Sequence, residues 1–249
     1  MEYEEFKQTA LALVDEMQNH GATIRLLGAV AFSLHCPKYN SFHSQSNRFF
    51  TDLDFAGYFH ESTIIKQLLE EKGFIEDRDV AVVYAHSRLI YNNPENMLHV
   101  DIFFDKLDFC HTISWKGILE YDSPTIPLAE LLLEKMQIVK INEKDIIDTL
   151  MLLREHPIGD NDQETINSTR ISTMLARDWG FWRTVTMNLK KVIQLGNSYT
   201  WLNREDFDVI QKRIKELLNI IDSTPKTNGW KIRNKIGDRV KWYREVGEL

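Results

Sequence analysis

The stretch from residue 47 to residue 55, Asn-Arg-Phe-Phe-Thr-Asp-Leu-Asp-Phe, constrains this chain more than any other. Asp52 and Asp54 alternate there with Leu53 and Phe55. If the segment is a β-strand, both carboxylates lie on one face and both apolar side chains lie on the other. Neighbouring carboxylates repel each other unless a cation lies between them. A hard divalent ion such as Mg²⁺ binds carboxylate oxygens and leaves room for phosphate oxygens, so the pair indicates a metal site, although Asp-Leu-Asp also occurs by chance.

A strand, a glycine and a helix are predicted ahead of this stretch. Residues 23–27 are typical of a short buried strand, Gly28 follows directly, and residues 29–35 predict a helix that ends before Pro37. Such a turn lets backbone N–H groups at the helix N-terminus face a phosphate, and the small residues Gly28 and Ala29 leave space for it. The same pattern is also typical of an ordinary tight turn that needs a small residue.

A further carboxylate, that of Asp101, lies in the middle of the β-like run Leu-His-Val-Asp-Ile-Phe-Phe. A charge in an apolar strand is costly unless a partner compensates it. Two interpretations follow from the sequence. Asp101 pairs with a nearby arginine, either Arg48 or Arg88, or it is a third acid that a neighbouring strand brings to the same ion as the earlier pair.

A charged helical pair follows. Residues 128–141 and 143–155 both show the apolar spacing of a helix, with Lys135 in the first and two acids in the second. Asp145 and Asp148 are three residues apart and therefore share a helix face. A charged helix face is commonly solvated surface, so this arrangement by itself does not indicate a site.

The order of predicted elements indicates an α+β fold, a small mixed sheet flanked by helices and followed by a C-terminal helical region. The segment His-Pro-Ile-Gly at residues 156–159 suggests a boundary between domains at 1–157 and 158–249. Residues 38–47 are predicted to be a loop, and residues 105–125 to be irregular with a short hairpin. The other predicted helices are 3–18, 62–72, 166–194, 204–221 and 230–245, and the other strands are 88–91 and 98–104.

Three motifs in this order resemble those of the nucleotidyltransferase superfamily, which includes polymerase-β-like, aminoglycoside and minimal nucleotidyltransferases. They are the glycine turn Leu-Leu-Gly-Ala at 26–29, Thr-Asp-Leu-Asp-Phe at 51–55 and Val-Asp-Ile at 100–102, and the resemblance spans about residues 20–155. Lys135, the two acids of the second helix, and Arg48 resemble motifs of the branch that contains abortive-infection toxins. One departure is Ala29, where the family has a second glycine or a serine; alanine offers a backbone N–H to a triphosphate but no hydroxyl.

This resemblance implies transfer of a nucleoside monophosphate from an NTP to an unidentified acceptor (a small molecule, RNA or protein), with release of pyrophosphate. It implies that Asp52, Asp54 and Asp101 are catalytic and hold Mg²⁺ or Mn²⁺. The nucleotide-binding residues that it implies are Gly28, Ala29, Arg48, Thr51, Lys135, Asp145 and Asp148.

Composition and net charge limit the classes of protein to which this chain can belong. The chain has 249 residues, a net charge of −7 and 43% hydrophobic residues, so it can bury a core and carries no overall signal for nucleic-acid or membrane-surface binding. Only two cysteines, Cys36 and Cys110, and an acidic N-terminus unlike a secretory signal favour a cytoplasmic protein. No apolar run is long enough to span a bilayer, so no membrane partner is expected. The oligomeric state stays open.

Two alternatives to an active transferase remain at this stage. One is a catalytically silent nucleotide-binding module of the same fold, which Ala29 favours. The other is the toxin of a toxin–antitoxin or abortive-infection pair. The last third of the chain is locally basic and could offer a basic face to a nucleic-acid acceptor, although a solvated terminal helix explains the same charges; the cations are Lys231, Arg233, Lys235, Arg239, Lys241 and Arg244.

Overall fold

The computed structural model describes residues 3–46, 50, 52–84 and 86–246. Contacts between Cα atoms divide the chain into two compact units. Unit 1 comprises residues 1–34, 49–107 and 113–127, and unit 2 comprises residues 35–48, 108–112 and 128–249. The predicted α+β class is confirmed: a five-stranded mixed sheet is flanked by helices, and the C-terminal region is helical.

The sheet of unit 1 has the strand order β1-β2-β5-β4-β3. Strands β2 and β5 run parallel at its centre, while the other neighbouring pairs are antiparallel. The parallel pair needs a long crossover, which the helices and strands between β2 and β5 provide. The strands are β1 Ile24–Leu27, β2 Asp52–Gly57, β3 Ile75–Glu76, β4 Arg88–Asn93 and β5 Leu98–Phe104.

Alternation along β2 has the predicted consequence for burial. Leu53 and Phe55 are buried in the core, whereas Asp52 is exposed and Asp54 is half-buried. On the neighbouring β5, Val100 supplies the core face at the matching position, since it is the register partner of Leu53. The core face of the central strands is therefore apolar, and the acids lie on the opposite face.

The helices of this part of the chain follow from apolar stripes. In α1, buried Phe6, Ala10, Val14 and Met17 recur at helical spacing, and Gly21 follows with a left-handed φ of +81°. The elements are α1 Tyr3–Asn19, α2 Gly28–His35, α3 Ser62–Glu71 and α4 Arg78–Tyr84, together with a small hairpin of β6 Lys106–Asp108 and β7 Thr112–Ser114.

The described residues of unit 2 form mainly six α-helices, and most of these helices are capped at the N-terminus by side chains that the sequence shows directly. Asn142, Asn167, Asp178, Asn203 and Thr227 each accept a hydrogen bond from the backbone N–H three residues ahead, which satisfies a donor that the helix leaves open. The helices are α5 Leu128–Met136, α6 Glu143–Glu155, α7 Ser168–Leu175, α8 Trp179–Gly196, α9 Arg204–Ser223 and α10 Asn228–Ile236, with the short strands β8 Ile158–Gly159 and β9 Ile166–Asn167.

Several boundaries differ from the sequence prediction. The helix predicted over 166–194 is two helices, because Asp178 caps a new one. The helix predicted to run to residue 245 ends at Ile236, because Gly237 has a left-handed φ of +62°. The first helix of the predicted pair ends at Met136, and residues 40–46 of the predicted loop form a short 3₁₀ helix.

The two compact units do not coincide with the two segments predicted as domains. The predicted division at residues 157 and 158 falls inside unit 2, and unit 1 ends at Pro127. The division into domains at 1–157 and 158–249 stays a prediction. A membrane-spanning helix is absent from the described part of the chain, since none of its helices combines the necessary length and apolar character.

Candidate active site

The two carboxylates of β2 lie next to a third on β5. Register pairs Asp54 with Asp101 and Asp52 with His99 across the parallel strands. Side chains at paired positions of neighbouring strands point to the same face, so the three acids occupy one face of the central strands. Strand register therefore brings Asp101 to the same face as Asp52 and Asp54, while the prediction that the three acids share one ion stays a prediction.

The glycine turn lies directly against Asp54. The last residue of β1, Leu27, pairs with Asp54, and α2 begins at the next residue, Gly28. Gly28 has a φ of +66°, and a Cβ atom at this position would collide with the Asp54 Oδ2 atom. Glycine is therefore required for the backbone conformation and for the space that the carboxylate occupies. The half-buried Ala29 follows in the first turn of α2.

Asp101 is held by an arginine of the neighbouring strand β4. Arg88 Nε donates to Asp101 Oδ1 at 2.9 Å and to Oδ2 at 3.0 Å, and Arg88 Nη2 donates to Oδ2 at 2.5 Å. The guanidinium carbon also lies 5.1 Å from the centroid of the Phe103 ring. The antiparallel register makes this contact possible, since Ile90 is opposite Asp101 and Arg88 is its diagonal neighbour. Of the two arginines that the sequence offered as partners, Arg88 is the one that the described contacts identify.

Burial sets the protonation behaviour of Asp101. The residue is 4% exposed, and the loss of solvent raises the pKa of its carboxyl above the ordinary value. The Arg88 hydrogen bonds and charge act in the opposite direction, and the negative charge of Asp52 adds a smaller rise in pKa. Asp101 therefore has a higher proton affinity than a solvent-exposed aspartate, although it is ion-paired.

The carboxylates of Asp52, Asp54 and Asp101 suit a Mg²⁺ site only in part. Within residues 3–46, 50, 52–84 and 86–246, no group of three or more His, Cys, Asp or Glu side chains is placed to hold a metal ion. Mg²⁺ in phosphate-transfer sites is often held by one or two carboxylates together with substrate phosphates, which Asp52 and Asp54 can provide. Asp101 differs from them because Arg88 already engages both of its oxygens. The metal role of all three acids stays a prediction.

Two predicted nucleotide-binding residues, Arg48 and Thr51, lie outside the described residues. Their predicted roles stay predictions.

Three further predicted nucleotide-binding residues, Lys135, Asp145 and Asp148, belong to unit 2, where Lys135 is surrounded by acids. Lys135 Nζ lies 3.4 Å from Glu134 Oε1, 3.2 Å from Asp145 Oδ1 and 3.3 Å from Asp148 Oδ2. The predicted common face of Asp145 and Asp148 is therefore confirmed, because both carboxylates reach one ammonium group. This face is not solvated surface: Asp148 is 0% exposed and Glu134 is 4% exposed.

A histidine that sequence reasoning did not connect with this cluster completes it. His43, from the 3₁₀ helix at residues 40–46, has its Nε2 atom 2.8 Å from Asp148 Oδ1, and it is buried. The contact ties the segment that was predicted to be a loop onto α6. Nothing in the spacing of the two residues, which are 105 positions apart, signals the contact. Lys135 thus has three acidic neighbours, and its predicted role toward a triphosphate stays a prediction.

Comparison with solved structures gives distant similarity. No protein-family profile matches this chain, and no curated protein sequence matches it. The structure is similar to the crystal structure of an antigenic nucleotidyltransferase-like protein from Paracoccidioides brasiliensis, with 12% sequence identity, a TM-score of 0.43, and coverage of 92% of this chain and 97% of that chain. A similarity of this degree does not assign an activity or a substrate.

Proposed function

We propose that this protein is a nucleotidyltransferase that moves a nucleoside monophosphate from an NTP to an acceptor hydroxyl. The observation that supports the proposal most directly is the pairing of Asp54 with Asp101 on parallel strands, beside the Gly28 turn. Three segments far apart in sequence contribute to one face of the sheet. In the reaction, an acceptor oxygen bonds to the α-phosphorus, the bond from that phosphorus to the β-bridging oxygen breaks, and pyrophosphate leaves.

Asp52 and Asp54 are the residues that would hold a divalent cation. Both offer carboxylate oxygens, and both are at least partly accessible to solvent. When bound, Mg²⁺ would neutralise charge on the phosphates and polarise the α-phosphoryl group. Such a cation would also reduce the repulsion between the two acids, which lie on the same face of one strand.

Asp101 would accept the proton that the acceptor hydroxyl loses. Its raised pKa suits a general base better than that of an exposed aspartate. Arg88 leaves acceptor capacity on the carboxylate, because Oδ1 receives one hydrogen bond and each carboxylate oxygen has two lone pairs. Arg88 would then orient Asp101 and keep it buried without exhausting its oxygens.

The start of α2 would receive the phosphates of the NTP. The first N–H groups of a helix have no partner within the helix, and the helix dipole favours negative charge there. The small side chains of Gly28 and Ala29 permit a close approach of the backbone. The contact between Gly28 and Asp54 would place such a phosphate close to the acid that would hold the cation.

The test uses the full chain, Mg²⁺ and each of the four NTPs labelled at the α-phosphate. Candidate acceptors are total RNA, soluble protein and a small-molecule extract, and pyrophosphate release is followed in parallel. The wild-type protein should transfer label to one acceptor class, and Asp54→Asn should reduce the transfer by at least a hundredfold, because it would remove a ligand of the cation that neutralises the phosphates. Asp15→Asn, which changes an exposed acid of α1, is the matched control and should keep full activity. Transfer by Asp54→Asn at the wild-type rate would refute the proposed mechanism.

The ion pair between Arg88 and Asp101 favours a second candidate function, a nucleotide-binding module without turnover. If Arg88 permanently occupies Asp101, the chain binds an NTP at the Gly28 turn but transfers nothing. Calorimetric titration with Mg²⁺ and NTP would then show binding while every acceptor class stays unlabelled. Binding together with transfer excludes this candidate.

A further inference from the structure

A cavity of about 480 Å³ lies within unit 2, at the N-terminus of α8. None of the three acids of the sheet lines it. The tip of the β6–β7 hairpin, the α7–α8 turn, α10 and the C-terminal segment 241–244 form its walls. Its volume lies within the usual range for small-molecule sites. The lining residues that concern its chemistry are Arg177, Asp178, Arg233, Lys241, Trp242, Tyr243 and Arg244.

The cavity wall is basic although the whole chain is acidic. Four cations line the cavity with a single acid, Asp178, whereas the net charge of the chain is −7. Lys241 is paired with Glu245 and Arg244 with Asp108, so the described residues leave Arg177 and Arg233 as the cations without an acid in an ion pair. Like charges gathered around one space repel each other, and a cleft lined by one sign of charge raises the local concentration of ions of the opposite sign. The wall therefore favours an anionic ligand.

Two of the arginines are held in place largely by neutral acceptors. Arg233 donates to the carbonyl oxygens of Gly237 at 2.6 Å and Val240 at 2.7 Å. Arg244 donates to the Phe109 carbonyl at 3.1 Å and also pairs with Asp108. Neutral carbonyls orient a guanidinium without cancelling its charge, so Arg233 in particular keeps its positive charge at the cavity.

Arg177 is exposed, as Lys241 and Arg244 are, but it differs from the other three cations in the contacts of its side chain. Across residues 3–46, 50, 52–84 and 86–246, the structure shows no hydrogen bond or ion pair made by its side chain. Arg177 also lines a second cavity, of about 530 Å³, which shares Thr112 and Asp178 with the first and extends to Phe181. A ligand held by Arg177 therefore has space on two sides.

Half-buried aromatic rings complete the wall. Trp242 is anchored by a hydrogen bond of 3.0 Å from its Nε1 atom to Thr184 Oγ1. Its carbonyl oxygen is so close to Gly180 that a Cβ atom at this position would collide with it. Tyr243 packs edge-on against Trp242, with ring centroids 5.4 Å apart. Ordered cations beside aromatic rings are the combination that binds a phosphate joined to a flat base.

We infer that this cavity is a binding site for a nucleoside phosphate, either a free nucleotide or a nucleotide of a single-stranded nucleic acid. Arg177 and Arg233 bind the phosphate, Trp242 and Tyr243 contact the base or sugar, and the Asp178 carboxylate can accept a hydrogen bond from a base amino group. The site uses none of the predicted catalytic carboxylates, and its cations bind phosphate directly, without a divalent ion.

The test is calorimetric titration of the full chain in EDTA, which suppresses any metal-dependent NTP binding at the sheet. The probes are the four nucleoside 5′-monophosphates, a single-stranded tetranucleotide and inorganic phosphate. At least one nucleotide probe should bind, and Arg177→Ala should weaken its affinity about tenfold, as the loss of one charge-assisted contact does. Arg204→Ala removes an exposed arginine of α9 in the same unit, as a matched control, and should leave the affinity unchanged.

The probes separate the outcomes. Binding of a monophosphate identifies a free nucleotide as a sufficient ligand, whereas binding of the tetranucleotide alone identifies a nucleic-acid strand; both support the site if Arg177→Ala weakens them and Arg204→Ala does not. Equal affinity for inorganic phosphate would overturn the assignment of a nucleoside. Absence of binding by every probe, or binding that Arg177→Ala leaves unchanged, would overturn the site altogether. These binding results do not depend on whether Asp54→Asn loses label transfer, so the cavity and the proposed transferase activity are tested separately.

Discussion

A buried glutamate in α5 makes a quantitative prediction about stability and pH. Glu130 is 0% exposed, and Arg170 Nη1 donates to its Oε2 at 2.9 Å while the same arginine also pairs with Asp162. Loss of solvent raises the pKa of Glu130 from 4.5 to about 7, against the opposing effect of Arg170. The folded protein therefore holds a proton on Glu130 that the unfolded chain has released between these two pH values.

The sign of the effect follows from proton linkage. Where the folded state binds more protons than the unfolded state, stability falls as the pH rises. Glu130 therefore does not lower the free energy of unfolding below about pH 4.5. The decrease grows as the pH rises to about 7 and is constant above that pH. A shift from 4.5 to about 7 corresponds to about 3 kcal/mol.

Replacement of the carboxyl by an amide should remove this cost. We expect the free energy of unfolding of Glu130→Gln, relative to wild type, to rise by about 2 to 3 kcal/mol between pH 5 and pH 8. Urea unfolding followed by tryptophan fluorescence measures this difference. It reports mainly on unit 2, because five of the six tryptophans, all except Trp115, belong to it. Urea is preferred to guanidinium chloride because it does not screen charges.

The comparison between variants is needed because two histidines act in the opposite direction. Burial lowers the pKa of His35 and of His111 to about 4, so each adds stability as the pH rises from 4 towards 6.5. These contributions are common to both proteins and cancel in the difference. Glu216→Gln, at an exposed position of α9, is the control and should show no dependence on pH. A difference between Glu130→Gln and wild type that stays constant from pH 5 to pH 8 would refute the reasoning.

Two further substitutions test the packing around the predicted sites. Lys135→Met should lower the free energy of unfolding by about 3 to 5 kcal/mol, because it leaves three carboxylates without their shared cation. Lys144→Met, at an exposed position of α6, is the control and should change the free energy of unfolding little. Equal free energies of unfolding of the two variants in urea would show that Lys135 contributes no more than a surface lysine. Gly28→Ala should cost about 2 kcal/mol or more and displace the Asp54 carboxylate, while Gly21→Ala, also at a left-handed φ but with nothing within 4 Å of the added Cβ, should cost only about 1 kcal/mol in thermal unfolding. An equal cost at the two glycines would show that the collision with Asp54 is relieved without consequence.

Local features of the structure could be predicted from the sequence because they depend on backbone geometry alone. The two-residue period of a strand places Asp52 and Asp54 on the same side, whatever packs against them. The helical period likewise places Asp145 and Asp148 on one face. Residues that cap helices, such as Asp178, are visible in the sequence, and the break they cause within 166–194 could have been read from it.

Tertiary structure decided which charged groups meet. The sequence offered Arg48 or Arg88 to Asp101, and only the register of β4 against β5 makes Arg88 its bidentate partner. The burial of Lys135 among acids depends on the packing of α5, α6 and the 3₁₀ helix that carries His43. The basic cavity likewise required the C-terminal segment to return to α8. Pairings of this kind depend on the register and docking of segments far apart in the chain, and short-range periodicity contains no information about either.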